Sequence, residues 1–261
     1  MLTNHARKIF LLSVLSVSFL LNVDAAPPRK DLYQIRIYKL RTNEQMQQLD
    51  QFLKDAYLPA LHRAGIKKAG VLKPLSNDTA VVKSVFVIIP FSSMKSFTDL
   101  DRKLRRDESY MTAGKSFREA PSDHAPYDRM ESILLEAFNG QKHWILPEKK
   151  QGNIFELRSY ESPTEKLHDK KVAMFENGEI ELFRKLQFNT VFYAKVISGS
   201  RMPNFMYMPS FSSVDDRNAH WKTFGADAEW KAMSSDPVNE NKVSVSHIDS
   251  ILMQATDYSD L

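Results

Sequence analysis

Two arginines and two tyrosines come first among the residues that could do chemistry. Arg36 and Tyr38 lie in Gln34-Ile35-Arg36-Ile37-Tyr38, and Arg158 and Tyr160 lie in Glu156-Leu157-Arg158-Ser159-Tyr160, 122 positions further on. A guanidinium presents a planar fork that matches a carboxylate, and a phenol beside it can orient an acidic or aromatic molecule. Burying such a charge without a partner is costly. Either carboxylates such as Glu156 and Glu136 answer these arginines, giving a closed ion-pair cluster that fixes how the elements dock, or water and an acidic ligand do. Arg201, in the turn Arg201-Met202-Pro203-Asn204, is a candidate anion contact at a barrel mouth or plain turn chemistry.

Other reaction chemistries leave little trace. The histidines beyond the N-terminal segment, His62, His124, His143, His168, His220 and His247, show no His-x-x-x-His or His-Glu-x-x-His spacing, so no metal site is expected. No cofactor is called for. Haem held by one histidine, His62 on the first helix or His220 beside Trp221, is the alternative left open. The absence of cysteine excludes thiol nucleophiles, disulfides and iron–sulfur ligation. Only 8 glycines are present, and neither a phosphate loop, Gly-x-Gly-x-x-Gly nor Gly-x-Ser-x-Gly occurs. The aromatic run from Trp221 to Trp230 reads as an amphipathic helix with its capping turn, or as a stacking surface for a ligand.

The elements that must position these groups come in two sets. Holding the 122-residue offset, the helical stretch containing Leu58 and Leu61 falls on Ile180 and Phe183. Phe91-Ser92-Ser93 then matches Phe211-Ser212-Ser213 at an offset of 120, and Ser132-Ile133-Leu134 matches Ser250-Ile251-Leu252 at 118. Landmarks kept in order with so little drift identify an internal repeat. Each copy reads β-α-β-β-α-β: a first strand, a helix, strands over 66–72 and 190–197, strands over 81–89 and 205–208, a second helix and a last strand. In the second copy a helix break is expected at Asn177-Gly178. The fold class is α+β, two tandem ferredoxin-like modules packed sheet to sheet as an intramolecular dimeric α+β barrel. The expected division is an export segment at 1–25, a first module at 26–140, a linker at 141–152 and a second module at 153–261. Alternation along the first strand puts Tyr33, Ile35 and Ile37 on one face and Gln34, Arg36 and Tyr38 on the other. The apolar set is assigned beneath the helices, which places Arg36, Tyr38, Glu156, Arg158 and Tyr160 between the sheets.

Composition sets the class. At 261 residues with 43% hydrophobic and 26% charged side chains, the chain is ordinary globular material. A net charge of +4 without a dense cationic surface argues against a nucleic-acid partner. The basic run Arg102-Lys103-Leu104-Arg105-Arg106 is flanked by acids and reads as a solvated helix face. Arg7 and Lys8 precede an apolar run from Ile9 to Val23, followed by small residues suited to a cut after Ala25. This predicts an exported protein, periplasmic or extracellular, with no membrane association after cleavage; a retained anchor is the alternative. Asn77-Asp78-Thr79 is a glycosylation acceptor in a eukaryotic secretory context.

The two first-strand motifs, the stretch Phe175-Glu176-Asn177-Gly178-Glu179-Ile180, Arg201 to Asn204, Trp221 to Trp230 and Asp236-Pro237 together resemble the secreted bacterial branch of the NIPSNAP family over residues 31–258. The turn has one glycine fewer than that family's usual Phe-Asn-Glu-Gly-Gly-Glu. The resemblance implies the dimeric α+β barrel superfold and a bacterial exported protein, and it brings no catalytic residue set. The expected role is binding of a small acidic or aromatic ligand or of a protein partner. The alternative is a monooxygenase-like or haem-handling enzyme of the same barrel type. Candidate ligand-binding residues are Arg36, Tyr38, Arg158, Tyr160, His62 and Arg201, and a homodimer is left open.

Overall fold

The computed structural model describes residues 29–150, 152–237 and 240–261. The export segment expected over 1–25 lies outside them. The first half runs β1 (Leu32–Leu40), α1 (Asn43–Phe52), a π-helical turn (Leu53–Tyr57), α2 (Leu58–Arg63), β2 (Gly70–Pro74), β3 (Lys83–Phe91), α3 (Met94–Arg105), α4 (Glu108–Ala113), α5 (Lys115–Arg118) and β4 (Arg129–Ala137). The second runs β5 (Ile154–Glu161), α6 (Glu165–Met174), a π-helical turn (Phe175–Glu179), α7 (Ile180–Lys185), β6 (Asn189–Ser198), β7 (Asn204–Phe211), α8 (Val214–Ala226), α9 (Ala228–Ser234), α10 (Asn241–Ser244) and β8 (His247–Ala255). Among the described residues no helix is long and apolar enough to cross a membrane.

Hydroxyl caps start the corresponding helices in both halves. Thr42 and Thr164 accept the amide hydrogens of Gln45 and Leu167, and Ser93 and Ser213 accept those of Ser96 and Asp216. The four strands of each half order as β4-β1-β3-β2 and β8-β5-β7-β6, and the two sheets join edge to edge. Leu72 pairs with Ala255 across the β2–β8 seam, and Leu135 with Val196 across the β4–β6 seam. Both seams are antiparallel, so the eight strands close into one barrel and no sheet edge is left open.

The barrel is filled. Tyr33, Ile35 and Ile37 of β1 meet Phe86, Ile88, Leu135, Phe155, Leu157, Met206 and Met208 in one buried cluster. Helices cover the outside of each half, over Val85, Val87 and Ile89 in the first and over Tyr160, Phe205 and Tyr207 in the second. The segment between β4 and β5 is packed against the barrel, since the Gln141 amide donates to the carbonyls of Thr190 and Val191 while Trp144 and Leu146 join the interior cluster.

This arrangement inverts the expected faces of β1 and β5. The apolar set of β1 points into the barrel, and Arg36, Tyr38, Glu156, Arg158 and Tyr160 point outward, under the helices. The physical reason is closure: the interior is enclosed on every side, whereas the helix-covered layer opens to solvent at its ends and can admit charge. The helix break expected at Asn177-Gly178 is also absent. The π-helical turn carries the chain through, with the Ile180 amide donating to the Phe175 carbonyl. Gly178 packs closely there, since a Cβ would come within 2.6 Å of the Met233 sulfur and that side chain would have to shift. The second strand begins at Gly70, not at residue 66, and the third at Lys83.

Candidate functional site

Register places the two arginines equivalently. Arg36 of β1 lies between Val87 of β3 and Ser132 of β4, and Arg158 of β5 lies between Tyr207 of β7 and Ser250 of β8. Above each stands a π-helical turn whose last residue, Tyr57 in one half and Glu179 in the other, carries a buried side-chain oxygen without a hydrogen-bond partner. Turns of this kind often mark functional positions, because the extra residue re-aims a side chain.

The second half answers its arginine internally. Glu156 is fully buried, and its carboxylate accepts from Arg158 Nη1 at 2.6 Å, Arg217 Nε and Nη2 at 2.8 and 2.7 Å, Trp221 Nε1 at 2.7 Å and Ser250 Oγ at 2.6 Å. Burial alone would raise its pKa. Hydrogen bonds from Arg217 and Ser250, the charge of Arg158 and the bond from Trp221 outweigh it and bring the carboxyl down to about 2. Arg158 also donates to Tyr160 Oη at 3.2 and 3.0 Å, with Tyr207 Oη 3.1 Å beyond, and its guanidinium lies over the Trp221 ring at 4.7 Å. This is the closed ion-pair cluster, and Trp221 belongs to it as an indole donor. Nearby, burial pushes the Glu179 carboxyl up to about 7, against the opposing charges of Lys171 and Arg158.

The first half lacks that carboxylate. Gln34 occupies the position of Glu156, Phe97 that of Arg217 and Asp101 that of Trp221. Gln34 accepts from Arg36 Nε at 3.2 Å and donates to Ser132 Oγ at 2.8 Å. Among the described residues Arg36 has no carboxylate within ion-pair distance; its guanidinium sits 5.1 Å from the centre of the Tyr57 ring. Glu136, expected as a partner, faces Lys30 and Lys195 at 3.7 and 3.8 Å. Arg36 lines a cleft of about 440 Å³, walled by Tyr38, Phe52, Tyr110, Phe117 and Tyr127. Burial is the main cause raising the pKa of Tyr38, Tyr57 and Tyr110, so the two that line the cleft, Tyr38 and Tyr110, meet a ligand as donors. Tyr57, Tyr110 and Arg118 escaped sequence reasoning. The repeat offset could have flagged Tyr57, since it aligns with Glu179.

The other candidates lie elsewhere. His62 is exposed and bonded through Nε2 to Asp260 at 2.9 Å, and His220 Nδ1 lies 2.9 Å from the Asp216 carbonyl; neither lines the Arg36 cleft. Arg201 does stand at a barrel mouth, beside Lys39, Glu131 and Asp249, but Asp249 and Glu161 already supply its counter-charge. The same arginine neutralises the acids of the Glu161–His247–Asp249 group, whose ligand atoms lie within 4.8 Å of one another. Asn77 is buried, and both ends of its amide bond the Ser84 backbone at 2.8 and 3.0 Å, so the glycosylation acceptor is occluded in the folded chain.

Two symmetric positions, one closed by its own glutamate and one open, sit on a closed α+β barrel. Residues 155–260 match the NIPSNAP family model. The half that matches NIPSNAP is thus the closed one, and the open cleft lies in the other. The whole fold is similar to two crystal structures named "putative monooxygenase". One is from Lactobacillus acidophilus NCFM, at 8% identity over 87% of this chain and 94% of that one, TM-score 0.56. The second is from Fusobacterium nucleatum, at 7% identity over 89% and 99%, TM-score 0.58. An anthrone oxidase-like protein is similar at 12% identity over 87% and 92%, TM-score 0.52. At such identities the likeness shows the fold alone. No curated protein matches the sequence.

Proposed function

We propose that the chain binds a small carboxylate with an apolar or aromatic body in the cleft beneath the N-terminal helices, with Arg36 as its anchor. One observation carries this reading: Arg158 is answered by the Glu156 carboxylate, whereas the equivalent Arg36 has the neutral partners Gln34 and Tyr38 and faces an open cleft. The second half shows which chemical group that geometry accepts. In the first half the carboxylate would come from outside, with Arg36 as the fork and the phenols of Tyr38 and Tyr110 on the walls of the same cleft. The aromatic walls suit a flat ring.

Export by the segment at residues 1–25 belongs to the same proposal and would present the cleft to ligands outside the cytoplasm. The likeness to proteins named monooxygenases makes oxygenation of a bound aromatic the chemistry to assay once a ligand is known. The raised phenols support binding as the first assignment, because they donate hydrogen bonds and do not serve as bases near neutral pH.

The test is calorimetric titration of the full chain with benzoate. Binding that disappears in Arg36→Met and persists in a folded Arg201→Met variant is expected. Benzoate binding that survives Arg36→Met would place the site elsewhere.

A further inference from the structure

The cleft holds a second cation with no acid of its own. Arg118, the last residue of α5, lines the same space as Arg36 and is exposed at its mouth. It is held by the Tyr110 ring, 5.3 Å from the guanidinium carbon to the ring centre, and among the described residues no carboxylate reaches it within ion-pair distance. Arg63, Arg102 and Arg105, also exposed on helices of this half, each pair with an aspartate. The cleft lining includes two guanidiniums and no carboxylate. Between them lie the parallel Phe52–Phe117 pair, with centroids 4.1 Å apart, and the Tyr110 ring.

A half-buried cation at the base, an exposed one at the rim and an aromatic wall between them describe a ligand by its charges. A monocarboxylate on Arg36 leaves Arg118 unanswered; a flat molecule with an anionic group at each end satisfies both. We propose that the ligand class of this cleft is an aromatic dicarboxylate, its inner carboxylate on Arg36 and its outer one on Arg118. This rests on the reading of Arg36 as the anchor. Tyr110 is the positioning residue, because its ring fixes Arg118 over the opening with no competing acid. The volume of about 440 Å³ falls within the usual range of small-molecule sites.

Calorimetric titration of the full chain with benzoate, isophthalate, terephthalate and phenyl phosphate separates the alternatives. At least one dicarboxylate should bind about fivefold more tightly than benzoate, equivalent to about 1 kcal/mol for an exposed ion pair. Arg118→Met should erase that ratio, and added salt should shrink it, since the outer pair is solvent-exposed. Circular dichroism and a melting curve of Arg118→Met show whether its fold is retained, and Arg118→Gln gives an independent variant. Dicarboxylates no tighter than benzoate, or a ratio that survives both substitutions, would overturn the dianionic class while leaving Arg36 as the anchor. Phenyl phosphate as the tightest ligand, regardless of residue 118, would put both charges at one end and also overturn it. If none of the four ligands binds, the anchor reading fails, and the dicarboxylate class with it.

Discussion

Replacing Glu156 by Gln gives the second half the residue that the first half carries at the equivalent position, and the effect can be worked from the structure. The carboxylate is fully buried and accepts from Arg158, Arg217, Trp221 and Ser250. Its pKa falls from the ordinary 4.5 to about 2, so its ionised form is favoured in the fold by about 3 kcal/mol. Taking one partner from a buried ion pair costs about 3–5 kcal/mol, because the remaining charge stays in place unanswered. Two guanidiniums would be left facing one neutral amide, so Glu156→Gln should lose about 3 kcal/mol or more at pH 7. With a urea slope of about 3 kcal/mol per molar for a chain of this size, the midpoint should drop by about 1 M. The sign with pH is fixed by the depressed value. The stabilisation from Glu156 is present above pH 4.5 and is lost as pH falls through about 2. Urea titrations of both proteins between pH 2 and pH 7 measure this. A variant whose midpoint stays within about 0.2 M of the parent, or which keeps the parent's full decline below pH 4.5, would refute the account of Glu156 as the keystone of that half.

Arg36→Met should leave stability in melting or urea curves within about 1 kcal/mol of the parent, because no carboxylate loses a partner, whereas Arg158→Met should cost about 2 kcal/mol, because Glu156 loses one charged donor while Arg217 still pairs it. Equal losses would show that the two positions are energetically alike. Tyr57→Phe removes a buried hydroxyl without a partner, so stability should hold or rise by up to about 1 kcal/mol; a loss of stability would mean the hydroxyl has a partner in solution. Glu179 should act opposite to Glu156. Its carboxyl is raised from 4.5 to about 7, so its contribution is full below pH 4.5 and is lost as pH rises through 7. Glu179→Gln should flatten that decline in denaturation curves between pH 4.5 and 8, and an unchanged slope would reject the assignment.

The element order and closed α+β architecture were legible because they rest on local pattern: alternation in the strands, apolar residues three and four apart in the helices, and landmarks repeated in order. The inside of the barrel was not. Alternation separates two faces, but both faces of β1 are covered, and β3 carries Val85, Val87 and Ile89 on one side and Phe86 and Ile88 on the other. Periodicity cannot tell a helix-covered face from an enclosed one when both are apolar. The closing of Arg158 was legible in part. Its neighbour Glu156 was visible two residues away, but Arg217 and Trp221 come from α8, more than sixty positions along the chain. The π-helical turns were hidden too, since Asn177-Gly178 has the composition of a helix stop and Leu53–Tyr57 reads as ordinary helix.

Barrel closure through the β2–β8 and β4–β6 seams has a consequence for how the two sites can differ. In an assembly of two identical subunits every change is made twice: a glutamate that locks one arginine locks its symmetry mate, and a cleft opened on one side is opened on the other. Here both halves are written in one chain. Glu156 can serve as permanent mortar on one side while Gln34 leaves the opposite arginine without a carboxylate of its own, and stability and recognition are free to answer to different residues.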